Sequence, residues 1–530
     1  MIRTIVKREF LDNILSFKFM ACVLVAIVVS LASTSILMRD YQDRLRNYDK
    51  GVASAKEALT KVPVYSCLKI KLYRKPSPMS IFVAGIERKT GYYGEIPLLG
   101  MDIPTSLQGG VTKNEFATVF SIFDFSSIII IIFTVLAILL SYGTISGERE
   151  TGLLSLALSN SVPRSRILLG KYLGGLVSVA VPLALCFILG ALYLLISKNV
   201  EADTNSFASM GLLYCVSLLY LSCILLLGIF ASSITKTSFG SLLFLLTFYL
   251  VFTFLIPQAV KSYSNDAING RARNVANNIK SLQSEWDKKY SEYYRNAAFK
   301  KTWAGFRDAA NMKIYGGIIL SRISTLEYIE DLNQMLSMQV ARDHAQEIYD
   351  LKIRDMAVDE NIRRRQNRLL AFIPSASFGH IVELVADTGN ESLERYLQQV
   401  NLYWHQYMGY LDQKNAFGPR FIYPGPDELT PYEKGLIKKI TEDVPGQISV
   451  KDASWLSYYS GKYRDEALRY RPELTFLNLD DLPEFKAPEP ELADRLKSSL
   501  FNIEIVFFYN VLFFVLAYFS FANYDPRRSV

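Results

Sequence analysis

The chain has little of the chemistry from which enzymes and metalloproteins are built. Its 530 residues include only three histidines and five cysteines. His344, His380 and His405 stand apart, with no H-E-x-x-H and no Cys/His cluster, so no metal site is expected. Cys22, Cys186, Cys215 and Cys223 fall inside apolar runs, which leaves Cys67 alone in a polar stretch. No disulfide can then join two water-exposed segments, and a disulfide-stapled ectodomain is excluded. The absence of G-x-S-x-G removes a serine hydrolase of that pattern. A Walker A loop is missing too: Ser165 stands where its first glycine belongs, and Tyr172 replaces the Ser/Thr after Gly170-Lys171. The chain is therefore expected neither to be an enzyme nor to carry a cofactor. If ATP energises it, a partner must supply the nucleotide site. The net charge of +7 is dispersed, and its one dense cluster, Arg363-Arg364-Arg365, reads as a solvated helix face; nucleic acid is not an expected partner. Internal repeats and low-complexity linkers are also lacking.

What the chain has is long stretches without charge. None occurs from Phe19 to Met38, between Asp124 and Glu148, between Lys171 and Lys198, between Asp203 and Lys236, between Lys236 and Lys261, or from Ile505 to Tyr524. Each is near or above the roughly 20 residues a helix needs to cross a bilayer. One such run could be a buried core helix, but six predict a polytopic membrane protein. Ser30-Leu31-Ala32 resembles a signal-peptide cleavage site. The apolar run around it exceeds the about 7–15 residues of a signal core, so an uncleaved span is expected.

The expected fold is mainly α, with six transmembrane helices and a large, mostly helical extracytoplasmic domain. Residues 1–18 read as a cytoplasmic interfacial helix, 19–38 as span 1 and 39–115 as an extracytoplasmic segment. Span 2 is placed at 116–145, a cytoplasmic segment at 146–171, and spans 3, 4 and 5 at 172–197, 206–232 and 237–261. The extracytoplasmic domain covers 262–498, span 6 covers 499–523, and a cytoplasmic tail 524–530. The positive-inside rule sets this orientation: Arg3, Lys7, Arg8 and Lys18, then Arg149, Arg164, Arg166 and Lys171, then Arg527 and Arg528 fall on one side. Within the large domain, Val275, Ile279, Leu282, Trp286, Tyr290 and Tyr293 step by three and four, as do Leu332, Leu336, Val340, Ile348 and Leu351, predicting an antiparallel helix pair. A third stripe, Leu393, Leu397, Val400, Trp404, Tyr407 and Leu411, precedes a Pro- and Tyr-rich stretch of loops and short elements.

Two acids at span ends, Asp124 and Glu504, are candidates for a transport path, because acids within a membrane often mark one. A plain boundary role is the competing reading. Gly170 and Gly174 form a G-x-x-x-G, a spacing that lets helices approach closely but is common by chance.

The most specific stretch is SGERETGLLSLALSNSVPRSRILLGKY, residues 146–172. A charged turn, Glu148-Arg149-Glu150, leaves the membrane, and Leu153, Leu154, Leu156 and Leu158 follow as an apolar surface. Ser161 and Pro163 can then start a helix with Arg164 and Arg166 on its polar face. A short amphipathic piece lying along a membrane suits docking by a soluble partner. This stretch resembles the cytoplasmic coupling segment of type-two ABC exporter permeases, which reads Glu-x-Glu-x-Gly-Thr-Leu, a leucine-rich turn, Ser, Pro, Arg and a closing Gly-Lys. The matching positions are Glu148, Glu150, Gly152, Leu154, Leu156, Ser159, Asn160, Arg164, Gly170 and Lys171, with Leu153 in place of the frequent Thr. The start, VKREFLDNILSFKF, is similar to the family's N-terminal interfacial helix. RKPSPMSIF (74–82), IPSASFGHIVELVADTG (373–389) and YNVLFFVLAYFSFANYDPR (509–527) resemble a bacterial subgroup with a large insertion between spans 5 and 6.

The resemblance implies a permease in the bacterial cytoplasmic (inner) membrane, in contact with membrane lipid. It implies a dimer with a second copy or a paralogue, seated on cytoplasmic ABC ATPase subunits that hold ATP and Mg. ATPase coupling would then pass through Glu148, Arg149, Glu150, Gly152, Leu154, Leu156, Ser159, Arg164 and Arg166. A membrane-anchored receptor or assembly scaffold without a transport path is the alternative from a different class.

Overall fold

Among the described residues six helices are long and apolar enough to cross a membrane, and the protein is a mainly α, polytopic membrane protein. The computed structural model describes residues 2–62, 64–96, 107–109, 124–154, 163–197, 204–295, 313–315, 318–320, 324–414, 416 and 476–523. Within 289–295 and 313–346 this concerns the backbone alone.

A short helix, α1 (Ile2–Ile14), precedes the first span, α2 (Phe17–Leu59), whose N-cap is Ser16. Spans 2, 3 and 4 are α3 (Phe125–Glu150), α4 (Arg164–Ile196) and α5 (Thr204–Ile234). The fifth, α6 (Ser238–Leu250), passes through a π-helical turn, Val251–Leu255, into α7 (Ile256–Arg295). Then come α8 (Ser324–Ala371), α9 (Pro374–Ala386), α10 (Asn390–Gln413) and the sixth span, α11 (Leu492–Ala522). Two small antiparallel hairpins join β1 (Ile70–Tyr73) to β2 (Tyr93–Ile96) and β3 (Lys313–Tyr315) to β4 (Ile318–Leu320). The proximal end of the bundle holds α1, the α3–α4 connection, the α5–α6 turn and the end of α11. The distal end holds the rest.

Two spans continue far beyond their apolar runs. At 43 residues α2 is roughly 65 Å long, about twice a hydrocarbon core. Charged residues do not break it past Met38, because Leu37, Met38, Tyr41 and Arg44 bury one face and Asp40 pairs with Arg44 one turn on. Likewise α7 carries span 5 outward to pack against α8, where Arg271 meets Asp355 at 3.4 Å. The Val275 stripe lies on α7, and Ile348 and Leu351 lie on α8. The side chains of Tyr290, Tyr293, Leu332, Leu336 and Val340, and residues 417–475 of the Pro- and Tyr-rich stretch, lie outside the described residues.

Span 4 is the axis of the membrane core, with 72% of its apolar window buried against 11% for span 5 and 17% for span 6. Such enclosure explains why α5 is apolar all round and lacks a one-sided stripe. The outward faces of spans 5 and 6 carry Phe239, Leu243, Phe254, Phe507 and Phe519 exposed.

Helix α9 dips into the distal half of the bundle. Pro374 opens it at a position where a missing N–H is harmless, and Asp387 closes it in the left-handed region, φ 57°. Phe378 stacks on Tyr220, midway along α5, with ring centroids 4.7 Å apart, and Ser377 Oγ donates to the Asn502 carbonyl on α11 at 3.2 Å. Beyond it, α10 lays Tyr396, Val400, Tyr403, Trp404, Tyr407 and Leu411 over the first hairpin. Tyr396 donates to the Leu72 carbonyl at 2.6 Å, so these aromatic residues serve packing.

Glu383, near the distal end of α9, has its carboxyl pushed up to about 7, first by burial and then by Glu391; Lys261 and Lys89 oppose this, and Asp124 adds to it. Between pH about 4.5 and 7 the folded chain holds a proton that the unfolded chain has released. Stability is therefore expected to fall as pH rises through that window and to level off above it. Glu383→Gln should flatten this slope and raise the unfolding midpoint at pH 8. A midpoint that tracks wild type across the range would remove Glu383 from the titration.

Candidate functional site

Helix ends leave N–H groups unbonded at the start and carbonyls unbonded at the finish, and charge of the opposite sign satisfies them. The α3–α4 connection uses this on three neighbours. Arg149 donates to the carbonyls of Thr235 (2.9 Å) and Ser233 (3.2 Å), where α5 finishes. Glu150 accepts from the Ser238 amide (3.0 Å) and hydroxyl (2.7 Å), where α6 begins. Arg164 donates to the carbonyls of Phe521 (3.3 Å) and Ala522, where α11 finishes. The Ser232 hydroxyl accepts from the amides of Ile145 (3.0 Å) and Ser146 (2.9 Å), closing the α3 side.

Glu148 makes the fourth connection. Lys171 Nζ, its side chain 5% exposed, lies 2.8 Å from Glu148 Oε1 and 2.8 Å from Glu9 Oε1 of α1. Beneath these charges Leu154 is buried against Ile145, Ile167, Leu168, Ile229, Ala517 and Phe521. Gly152, φ +72°, supplies the left-handed residue that turns the chain after the α3 helix.

Helix α1 sits on α4 by two matching rows. Ile5 lies over Gly170, Glu9 over Gly174, and Asn13 Nδ2 donates to Ser178 Oγ at 3.1 Å, both rows stepping by four. A Cβ at Gly174 would come within 2.6 Å of the Glu9 Cβ. The G-x-x-x-G is thus the seat of the N-terminal helix. Gly174→Val is expected to lift α1 and to destabilise by about 1–3 kcal/mol. The check is a disulfide between Asn13→Cys and Ser178→Cys. It should form in the parent and fail in the Gly174→Val background, and an undiminished yield would reject the seat.

Of the residues expected to transmit coupling, the structure brings together Glu148, Arg149, Glu150, Gly152, Leu154 and Arg164. Arg166 is exposed on the first turn of α4, and Leu156, Ser159 and Asn160 lie outside the described residues. Sequence reasoning missed Glu9, Ser232 and Ser238, and took Lys171 as a motif position and an orienting charge but not as the centre of an ion cluster. The local signal was weak, because Glu9 and Lys171 are 162 positions apart.

Asp124 and Glu504 do not meet. Asp124 is the N-cap of α3: one carboxylate oxygen accepts from the Ser127 amide (2.9 Å) and the other from the Ala84 amide (3.0 Å). Glu504 is on an exposed flank of α11. A polar joint occurs instead at mid-bundle, where two spans carry π-helical turns, Ile129–Phe133 in α3 and Val251–Leu255 between α6 and α7. Side chains collect the loosened carbonyls. Thr134 donates to Ile129 (3.2 Å), Tyr249 to Ile130 (3.1 Å) and Ser375 to Phe252 (3.4 Å). The Thr134 and Tyr220 hydroxyls lie 3.0 Å apart. A cavity of about 20 Å³, lined by Thr134, Tyr220, Tyr249, Phe252 and Ser375, lies among them. π-turns recur at functional sites and at points where helices flex.

The ABC-2 family transporter protein pattern matches residues 3–313, over half of the chain, and takes in α1, the first five spans and the α3–α4 connection. The chain belongs to that family and is a permease of an ABC transporter, a class that works with a partner ATPase subunit. No curated protein matches the chain.

Proposed function

We propose that the chain is the transmembrane subunit of an ATP-driven exporter in the bacterial inner membrane, both termini in the cytoplasm. A separate ABC ATPase, binding ATP and Mg, drives it, and a second copy or a paralogue completes the permease. The chain itself holds no cofactor and is not an enzyme. The observation that carries this reading is the set of bonds from one short segment to the ends of α5, α6 and α11 and, through Lys171, to α4 and α1. A push on Glu148–Arg166 would move four spans and the N-terminal helix as a unit. Arg166 and Leu153, both exposed, suit the face that an ATPase grips.

The output can be substrate movement or motion of the distal domain. The long helix α2, and α7 continuing from span 5, favour the second as part of the cycle, since each extends a span far outward. A scaffold without transport would not require the four-span connection. The test is affinity purification followed by ATPase assay in liposomes. A P-loop ATPase should co-purify, with turnover that Arg149→Ala or Glu150→Ala alters. No co-purifying ATPase and no ATP-dependent activity would reject the reading. Orientation is tested with Ser155→Cys and Ser284→Cys in intact cells, where an impermeant thiol reagent should label only the latter.

A further inference from the structure

Where α2 leaves the bundle at its distal end, ionised side chains are packed out of contact with water. Arg44 donates to Asp40 (3.0 Å), Glu87 (2.9 Å) and Ser80 (2.9 Å), and so has every guanidinium nitrogen engaged. Arg88 takes both oxygens of Asp40, at 2.9 and 3.2 Å. Arg74 is different. Its Nη2 donates to Ser392 at the start of α10 (2.9 Å) and stands 3.8 Å from Glu87, but its Nη1 has no hydrogen-bond partner among the described residues. Arg74 is only 8% exposed. It lines a cavity of about 30 Å³ shared with Arg44, Asn47, Glu87, Arg88, Thr90 and Tyr92, enough for one water-sized species.

Charge decides what that species is. Among the described residues Arg44, Arg74 and Arg88 pair directly with Asp40 and Glu87, a surplus of one positive charge that the more distant Asp387, itself paired with Arg395, does not remove. The next shell brings Asp387 together with Arg395 and Arg495, which adds a further surplus. An uncompensated buried cation is costly, and an unmade guanidinium hydrogen bond adds to that cost. A neutral water would answer the bond but not the charge, whereas a small anion answers both.

We propose that this cavity is a binding site for a small monovalent inorganic anion of chloride size, held by Arg74 Nη1 with Arg44 and Arg88 as the flanking charges. The site ties three pieces together: α2 through Arg44, the 74–92 loop through Arg74 and Arg88, and α10 through Ser392. A bound anion therefore stiffens the joint between span 1 and the distal domain.

The experiment uses the full chain purified in detergent, melted in sodium chloride and in sodium gluconate at equal ionic strength. Chloride should raise the unfolding midpoint by a few degrees, saturably, and Arg74→Gln should abolish the difference. Equal midpoints in the two salts, or a difference that persists in Arg74→Gln, would overturn the site, the latter being a general salt effect. Crystals of the unmodified chain grown in bromide give a second measurement that needs no variant. An anomalous peak beside Arg74 Nη1 supports the proposal, and an ordered water there without such a peak overturns it.

Discussion

Lys171→Met is expected to destabilise the folded protein by about 3–5 kcal/mol and to abolish the effect of this chain on its ATPase partner. Lys171 is a single buried cation between two carboxylates, each 2.8 Å away. Removing one member of a buried ion pair leaves the remaining charge desolvated and uncompensated, a loss several times that of an exposed pair. Here two acids are left facing each other, so Glu9 and Glu148 repel and α1 separates from the end of α3. Adding Glu9→Gln and Glu148→Gln to Lys171→Met should recover most of the stability, because the repulsion and stranded charge disappear together. It should not recover coupling, since a neutral cluster no longer clamps α1 to the segment. Thermal unfolding and ATPase assays on the four variants separate the two effects. Single losses that simply add in the triple variant would mean that the three groups are not a unit.

The coupling segment was legible because its chemistry is local. Charge, glycine, leucine and proline follow one another between residues 146 and 172, and the left-handed turn at Gly152 is local, whereas Leu154, read as part of an apolar docking surface, is buried against Ala517 and Phe521 from far along the chain. The spans were legible for a similar reason, as hydrocarbon excludes charge and the chain advertises each crossing by its absence. What could not be read are features made by partners far apart. Nothing near Glu9 announces Lys171, and nothing near Ser232 shows that its hydroxyl will hold the amides of Ile145 and Ser146. The length of α2 was missed because Asp40, Arg44 and Arg46 look like the end of a span. They continue the helix only because residues 74–88 later cover one face of it. The stretch 373–389 was noticed, yet its insertion beside Tyr220 was not, since thirteen mixed residues are too few to suggest membrane depth.

These cases share a pattern that bears on mechanism. Both ends of the bundle are closed by buried ion clusters with one element contributed from outside the spans, α1 at the proximal end and the 74–92 loop at the distal end. Between them lie the two π-turns and the small cavity at Tyr220, where side chains rather than regular helix bonds hold the carbonyls. Rigid ends and a softer middle are what the proposed displacement at Glu148–Arg166 would need in order to reach the distal helices.

The distal closure supplies the second large effect. Arg44→Met should lower stability by about 3–5 kcal/mol, because it breaks the buried ion pairs to Asp40 and Glu87, both nearly inaccessible to water, and removes the hydrogen bond to Ser80. The loss differs from that of a span-packing mutation in where it appears. Asp40 keeps Arg88 and Glu87 keeps the Ser77 amide at 2.9 Å, so the spans stay folded while α2 beyond Met38 parts from the loop. Limited proteolysis should accordingly cut between Arg39 and Leu59 in Arg44→Met before the bundle melts, and not in wild type. If Arg44→Met instead melts within about 1 kcal/mol of wild type, as loss of an exposed pair would give, the cluster does not fasten span 1 to the distal domain, and displacement of α2 has no rigid route outward.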